Sequence, residues 1–378
     1  MPELDPTREP EVVVIGDDAA AHAAAWKLAS EGVAALRVDL KTAPLPERLG
    51  TLAPEFFDLA PPLKALRDAL PMRPINAVRF LDGDKVAATK EPGSGIEGYK
   101  KGEPVAYVTS SDALCREITK LADDAGAGKL SATAEKTEVQ DVDAEGVTLY
   151  VAGKTLKPKL LIVVDPLPTD LEKALQTGPA SGSGDPFHAV YDLQQKVKEG
   201  DGLTMSLDLD GQLGWGWLLT LDGRSQLCVQ IESGDPQAAL QKWMAILVKD
   251  GQVKDETINA RSMQAMRLPL GGALRRDVVA RRTLLAGPAG GFYSASGEEF
   301  YPSVWSGLIA AEAAMNALGE RHVQDALGEF RGMWGATLGD YLRGPQQNLR
   351  FLLPLVFNNP AMTDRLAEAI LRGQSLVK

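Results

Sequence analysis

Cysteine is nearly missing from this 378-residue chain. Only Cys115 and Cys228 occur, too few for a disulfide framework or a cysteine-rich metal site. Histidine is almost as scarce: His22, His188 and His322 are the three present, and none has a ligand or triad partner at motif spacing. The acidic pair Asp17-Asp18 reads as a solvated turn rather than a magnesium site, so no metal is expected. No uncharged apolar run approaches the ~18 residues that a membrane span needs. Residues 1–10 are polar, acidic and broken by proline, unlike a secretory leader. Basic charge is in deficit, with 40 Lys and Arg against 51 Asp and Glu and a net charge of −11. Nucleic acid and anionic membrane faces attract basic surfaces, so neither is expected as the main partner. The composition predicts a cytoplasmic, non-spanning protein.

What is present is an ordinary globular composition, 44% hydrophobic and 24% charged, at a length that suits roughly two or three domains of ~150 residues. Glu11 to Gly16 is a β-branched apolar run and reads as a buried strand. The alanine-rich stretch Ala19 to Gly32 reads as a helix with a glycine stop, and Ala35 to Asp39 as a second strand. Strand–helix–strand is the opening of a parallel sheet. Pro62 to Leu70 is helix-like. Ile75 to Phe80 and Lys85 to Thr89 pair around Asp82-Gly83-Asp84, and Ser110 to Ala125 is a helix ended by Gly126. Lys159 to Val164 is a second buried strand. A hairpin, Gly214 to Thr220 with Ser225 to Ile231, turns at Asp222-Gly223, and Pro236 to Val248 is a helix. After Thr283 to Ala286 a glycine-rich loop leads into helices. Ala125 to Gly128 and Ser181 to Pro186 are the expected joints.

Five segments stand in a telling order. Gly16-Asp-Asp-Ala-Ala-Ala21 links the first strand to its helix, and Asp39 follows Gly16 by 23 residues. Arg48-Leu-Gly-Thr-Leu-Ala-Pro54 follows the second strand, and Leu160-Leu-Ile-Val-Val-Asp165 stands mid-chain. Gly214-Trp-Gly-Trp217 comes next. Last is Leu284-Leu-Ala-Gly-Pro-Ala-Gly-Gly-Phe292, with Gly297-Glu-Glu-Phe300 and a helix. Over most of its length the chain thus resembles the FAD-dependent oxidoreductases of the geranylgeranyl reductase, flavin halogenase and aromatic hydroxylase group.

The resemblance implies an α/β fold: a doubly wound FAD/NAD(P)-binding, Rossmann-like domain with an inserted antiparallel-sheet substrate domain and a C-terminal helical region. The first domain would comprise 1–74, 104–180 and 273–320, the second 75–103 and 181–272, and the helical region 321–378. It implies FAD held by Gly16, Asp39 at the adenosine ribose, Arg48, Asp165, Gly287 and Gly291. Trp215 and Trp217 would line a substrate pocket under the sheet. Flavin-dependent reduction or oxygenation of a hydrophobic small molecule would follow, the flavin carrying the reaction.

Departures from the family pattern fall along the whole cofactor. Asp18 stands where the second glycine lets backbone approach the pyrophosphate. Two unit charges about 4 Å apart repel by about 4 kcal/mol at an effective dielectric of ~20, enough to offset a helix N-terminus. Pro288 replaces the aspartate that binds the ribityl chain and has neither carboxylate nor N–H. Glu299 replaces a glycine at the helix end facing the flavin, where it suits the helix macrodipole and opposes a reduced flavin. Pro166 replaces the glycine after Asp165. These residues argue against ordinary FAD binding and raise a second expectation, a cofactor-free descendant binding a small molecule or a protein. No catalytic acid, base or nucleophile is expected.

Overall fold

The computed structural model describes residues 9–41, 47–83, 85–97, 99–200, 202–207, 214–294, 296, 297, 299–343 and 349–376. Residues 1–8, Asp84 of the expected turn and Glu298 of the late loop lie outside this set. The β-branched run Val12–Ile15 is a fully buried strand at the centre of a six-stranded sheet. On one side it pairs in parallel with Ala35–Asp39, which pairs in turn with Gly128–Ser131. On the other it pairs with Leu160–Val163, which pairs with Thr283–Leu285. Only the edge strand Val279–Ala280 runs antiparallel. Gly128, expected in a joint, begins a sheet strand, and its joint is the preceding turn at Gly126.

A seven-stranded sheet forms the second unit. It runs Met263–Arg267, Phe187–Asp192, Arg224–Ile231, Trp215–Leu221, Gly202–Ser206, Ala77–Asp82 and Lys85–Ala88. It is antiparallel except where Gly202–Ser206 lies parallel to Ala77–Asp82. The hairpin turn at Asp222-Gly223 has φ of +51° and +78°, the left-handed pair that tight two-residue hairpins need. A small antiparallel sheet, Leu49–Leu52, Ala106–Ser110 and Arg73–Ile75, is also present. A three-stranded meander, Thr137–Val142, Val147–Val151 and Lys154–Leu156, joins the core of the parallel sheet. No described helix is long and apolar enough to cross a membrane.

Helix packing explains the alanine-rich first helix. Ala19–Ser30 is buried at Ala19, Ala20, Ala21, Ala23, Ala24 and Ala25, and it lies against Ser111–Asp124 and Tyr301–Leu318. The approach is closest at Gly307, where a Cβ would sit 2.3 Å from the Ala20 carbonyl oxygen. Gly287, at φ +50°, would place a Cβ 2.7 Å from Val164 Cγ1 and 3.2 Å from Ala20 Cβ. Helix Tyr301–Leu318 and the late loop therefore meet the first turn of Ala19–Ser30 with no room for added side chains.

This packing reverses the usual sign of a helical Gly→Ala exchange. Gly335, in the exposed face of helix Glu329–Arg343, has nothing within 4 Å of a built Cβ. Gly335→Ala is expected to stabilise the chain by up to about 1 kcal/mol. Gly307→Ala is expected to destabilise it by about 1–3 kcal/mol through overpacking against backbone. Urea midpoints of the two variants, measured together, check the opposite signs.

Candidate functional site

The chain reverses its direction across the parallel sheet between Val12–Ile15 and Leu160–Val163, and ligands in such sheets bind beyond the carboxyl ends of strands at this point. Gly16 and Asp165 leave those two strands side by side. Gly16 has φ +141°, and a Cβ on it would lie 3.0 Å from Asp165 N and 3.1 Å from Asp165 Cγ. Asp165 Oδ2 accepts the Asp17 N–H at 2.8 Å. Burial, then the neighbouring Asp18, pushes the Asp165 carboxyl up to about 7.

Asp18 is the N-cap of helix Ala19–Ser30, its Oδ1 accepting the Ala20 N–H at 2.9 Å. A carboxylate of the chain itself thus takes a helix-end donor of the kind that cradles phosphate. Burial also raises the Asp18 carboxyl, with nearby Arg48 acting against it. Asp17 turns the other way. It meets His22 Nε2 at 3.3 Å and Lys129 at 3.6 Å, and the His22 hydrogen bond holds its carboxyl below the usual range. His22 Nδ1 lies 2.9 Å from the Arg37 guanidinium, which also pairs with Asp123. Because a guanidinium only donates, Nδ1 accepts and the ring hydrogen sits on Nε2, facing Asp17. His22 and Arg37, 1% and 2% exposed, form a buried polar chain beneath the loop. Cys115 Sγ donates to the Asp17 carbonyl at 3.3 Å, and burial pushes its thiol up to about 12, an inert setting for a nucleophile.

The late loop closes the other side. Gly287 N donates to Ser306 Oγ at 2.8 Å, and Pro288 lies in the first turn of the one-turn helix Gly287–Gly290. Glu299, 2% exposed, stands just before helix Tyr301–Leu318. Its Oε1 accepts from Ala53 N at 3.0 Å and Tyr301 N at 3.1 Å, while Oε2 is buried without a partner. Burial raises this carboxyl well above its ordinary value. Arg48, 6% exposed, lies 5.4 Å from the Phe300 ring centre with its Nε unpartnered. Its charge acts on Asp18 and on buried Tyr293, whose hydroxyl is raised by burial.

Gly16, Asp165, Asp18, Arg48, Gly287 and Glu299 are therefore drawn around one cleft. Asp39 ends the next strand and folds its carboxylate onto its own turn, accepting Lys41 N at 2.8 Å. Gly291, at φ +73°, faces Gly272, whose Cα would lie 2.7 Å from an added Cβ, so it packs the late loop on the 272–274 turn. Trp215 and Trp217 are 3% and 0% exposed and stack at 6.0 Å. They lie in a filled core with Leu366, Ala367, Ile370 and Leu371, because helix Pro360–Arg372 covers that face of the sheet. Their expected place along an open pocket is corrected accordingly.

That helix lies in the expected C-terminal helical region, and its polar contacts are what the structure adds. Asp364 accepts from Lys90 N at 2.8 Å and Glu91 N at 3.3 Å, and Glu368 from Gly93 N at 2.9 Å and Gly95 N at 3.0 Å. Arg372 Nε pairs with Glu55 at 2.8 Å. The spacing of four residues was the available signal, since it puts all three on one helix face. Among the described residues, no group of three His, Cys, Asp or Glu side chains is placed to hold a metal.

No family model matches the sequence, and no curated protein does either. Solved structures do. A geranylgeranyl bacteriochlorophyll reductase-like protein from Thermoplasma acidophilum superposes with a TM-score of 0.69 at 13% identity, over 96% of this chain and 91% of that one. A mutant of the halogenase PltM in complex with FAD gives 0.61 at 14% identity, over 96% and 76%. PqsL from P. aeruginosa, in complex with 2-aminobenzoylacetate, gives 0.62 at 14% identity, over 97% and 98%. At low sequence identity, this chain has the fold of the FAD-dependent oxidoreductases, with their parallel Rossmann-like sheet, second sheet and C-terminal helices.

Proposed function

We propose that this chain keeps the oxidoreductase scaffold without FAD in its extended pose, and serves as a non-redox module that binds a small molecule or a protein. The observation that carries this reading is Glu299. Its buried carboxyl holds the Tyr301 and Ala53 N–H groups at the helix end that would meet the flavin ring. Asp18 does the same at the first helix, where the pyrophosphate would lie. FAD would have to displace both carboxyls from their donors, and Pro288 offers no hydrogen-bonding group for the ribityl chain. The lining does not fit this cofactor, and no redox step is derived through it. The rival reading, a flavin-dependent redox enzyme, draws on buried Arg48, whose unpartnered Nε suits an anion.

Titrating the full chain with FAD separates the two. Unchanged protein is expected to show no stoichiometric flavin band after gel filtration, and a yellow protein overturns the proposal. The triple variant Asp18→Gly, Pro288→Asp, Glu299→Gly is expected to gain FAD affinity by tenfold or more, about 1.4 kcal/mol. No gain would also count against the reading.

The same carboxyls give a pH dependence. Asp165 titrates near 7 in the folded chain and Glu299 is raised well above its ordinary value, whereas both titrate near 4 when unfolded. From about pH 4 to 7 the folded chain holds protons that the unfolded chain has released, so stability falls as pH rises. Asp165→Asn keeps an acceptor for Asp17 N and removes one such group. It is expected to reduce the loss in unfolding free energy between pH 5 and 8 by on the order of 1 kcal/mol. Urea unfolding at both pH values checks this.

A further inference from the structure

Away from the cleft just described, a cavity of about 500 Å³ opens between the turn at 142–144, the hairpin at 281–282 and the segment 321–325. Arg281, Arg282, Arg321 and His322 line it together with Asp143 and Asp325. It lies at the end of the parallel sheet where Leu160–Val163 and Thr283–Leu285 begin. The phosphate loop is at the other end of these strands, roughly 13 Å away at about 3.3 Å per residue.

Two features of this cavity lack a purely structural explanation. The first is the turn itself. Arg281-Arg282 is the two-residue link between antiparallel strands Val279–Ala280 and Thr283–Leu285. Such links favour Asn-Gly or Asp-Gly, because side chains resist positive φ. Arg282 nonetheless adopts φ +49°, so the turn is built against its own chemistry to place two guanidinium groups.

The second is charge. Arg282, 8% exposed, donates to the main-chain carbonyls of Asp143, Lys159 and Ala144, and Arg281 donates to the Val142 carbonyl. Neither these two arginines nor Arg321 has a carboxylate ion-pair partner among the described residues, in a chain with eleven surplus acidic charges. Asp143 spends its Oδ1 on the N–H groups of Glu145 and Gly146. Carbonyl dipoles hold the Arg282 fork, and Asp143 is the acidic group on which its charge acts: the Glu145 and Gly146 N–H groups, and then Arg282, hold that carboxyl below its ordinary range. Arg281, Arg321 and His322 are exposed at the rim with donors to spare.

We propose that this cavity is a binding site for a small phosphate-bearing anion of the diphosphate class. Guanidinium groups match phosphate oxygens in pairs, and the volume is that of an ordinary small-ligand pocket. The site is independent of the FAD-type cleft and of whether that cleft is used.

Inorganic pyrophosphate, titrated calorimetrically into the full chain at fixed ionic strength, is the test. One saturable site is expected, with affinity falling as salt rises. Arg321→Gln and Arg281→Gln, both exposed, are each expected to weaken it about tenfold. Absence of saturable binding at millimolar pyrophosphate overturns the proposal. So does equal affinity in Arg321→Gln, or tighter binding of citrate than of pyrophosphate.

Discussion

Backbone approaching backbone without intervening side chains is the constraint on which this architecture rests. At Gly307 the helix Tyr301–Leu318 comes so near Ala20 that a methyl group would overlap its carbonyl oxygen, and Gly287 meets Ala20 and Val164 in the same way. These contacts fix three chain segments, distant in sequence, around the first turn of one helix. They place the ends of Val12–Ile15 and Leu160–Val163, the late loop and Glu299 in one small volume. A single alanine-rich helix can do this because its small side chains allow neighbours to close in on two sides.

So tight a junction concentrates main-chain donors. The N-termini of Ala19–Ser30 and Tyr301–Leu318 both lie at this junction, and their free N–H groups need acceptors. In this chain the acceptors are its own Asp18 and Glu299. An internal carboxyl satisfies a helix end without the entropy cost of capturing a ligand, but it also makes that end a poor host for phosphate. Burial then raises the carboxyls, which eases repulsion among Asp18, Asp165 and their neighbours by keeping protons on some of them. Arg48 supplies a cation that reaches Asp18 from the small-sheet side, and Arg372 acts on Glu299 from the C-terminal helix.

Local chemistry was legible in the sequence, and long-range chemistry was not. Ala35–Asp39 and the hairpin at Asp222-Gly223 follow from short apolar runs and turn residues, and the structure has them within a residue or so of the expected bounds. The order of five short motifs carried the fold. The meander from Thr137 to Leu156 gives no buried run to read, because its first strand is polar and half of its residues are exposed. Ile75 was expected to begin the strand that pairs with Lys85–Ala88, yet it belongs to the small sheet, and Ala77 begins that strand. The positions of Asp18 and Glu299 were apparent from their motifs. That each carboxyl takes N–H groups of a helix start could be read only from coordinates.

The C-terminal helix shows how far such non-local bonds reach. Asp364 and Glu368 take four main-chain N–H groups from 90–95, some 270 residues earlier, and Arg372 takes Glu55. A loop with several glycines and no regular partner would otherwise leave those amides to water. The two carboxylates bind it as a helix N-terminus binds an anion, with the charge supplied by the helix instead of received by it. Leu366, Ile370 and Leu371 are held down on Trp215 and Trp217 by the same bonds. In this way the sheet face becomes core, and the polar clamp at its rim explains why two aromatic side chains on alternating residues are fully covered. The cleft and the sheet face are thus governed by one device: acidic side chains of the chain itself occupy amide groups in places where a ligand or solvent would otherwise be needed.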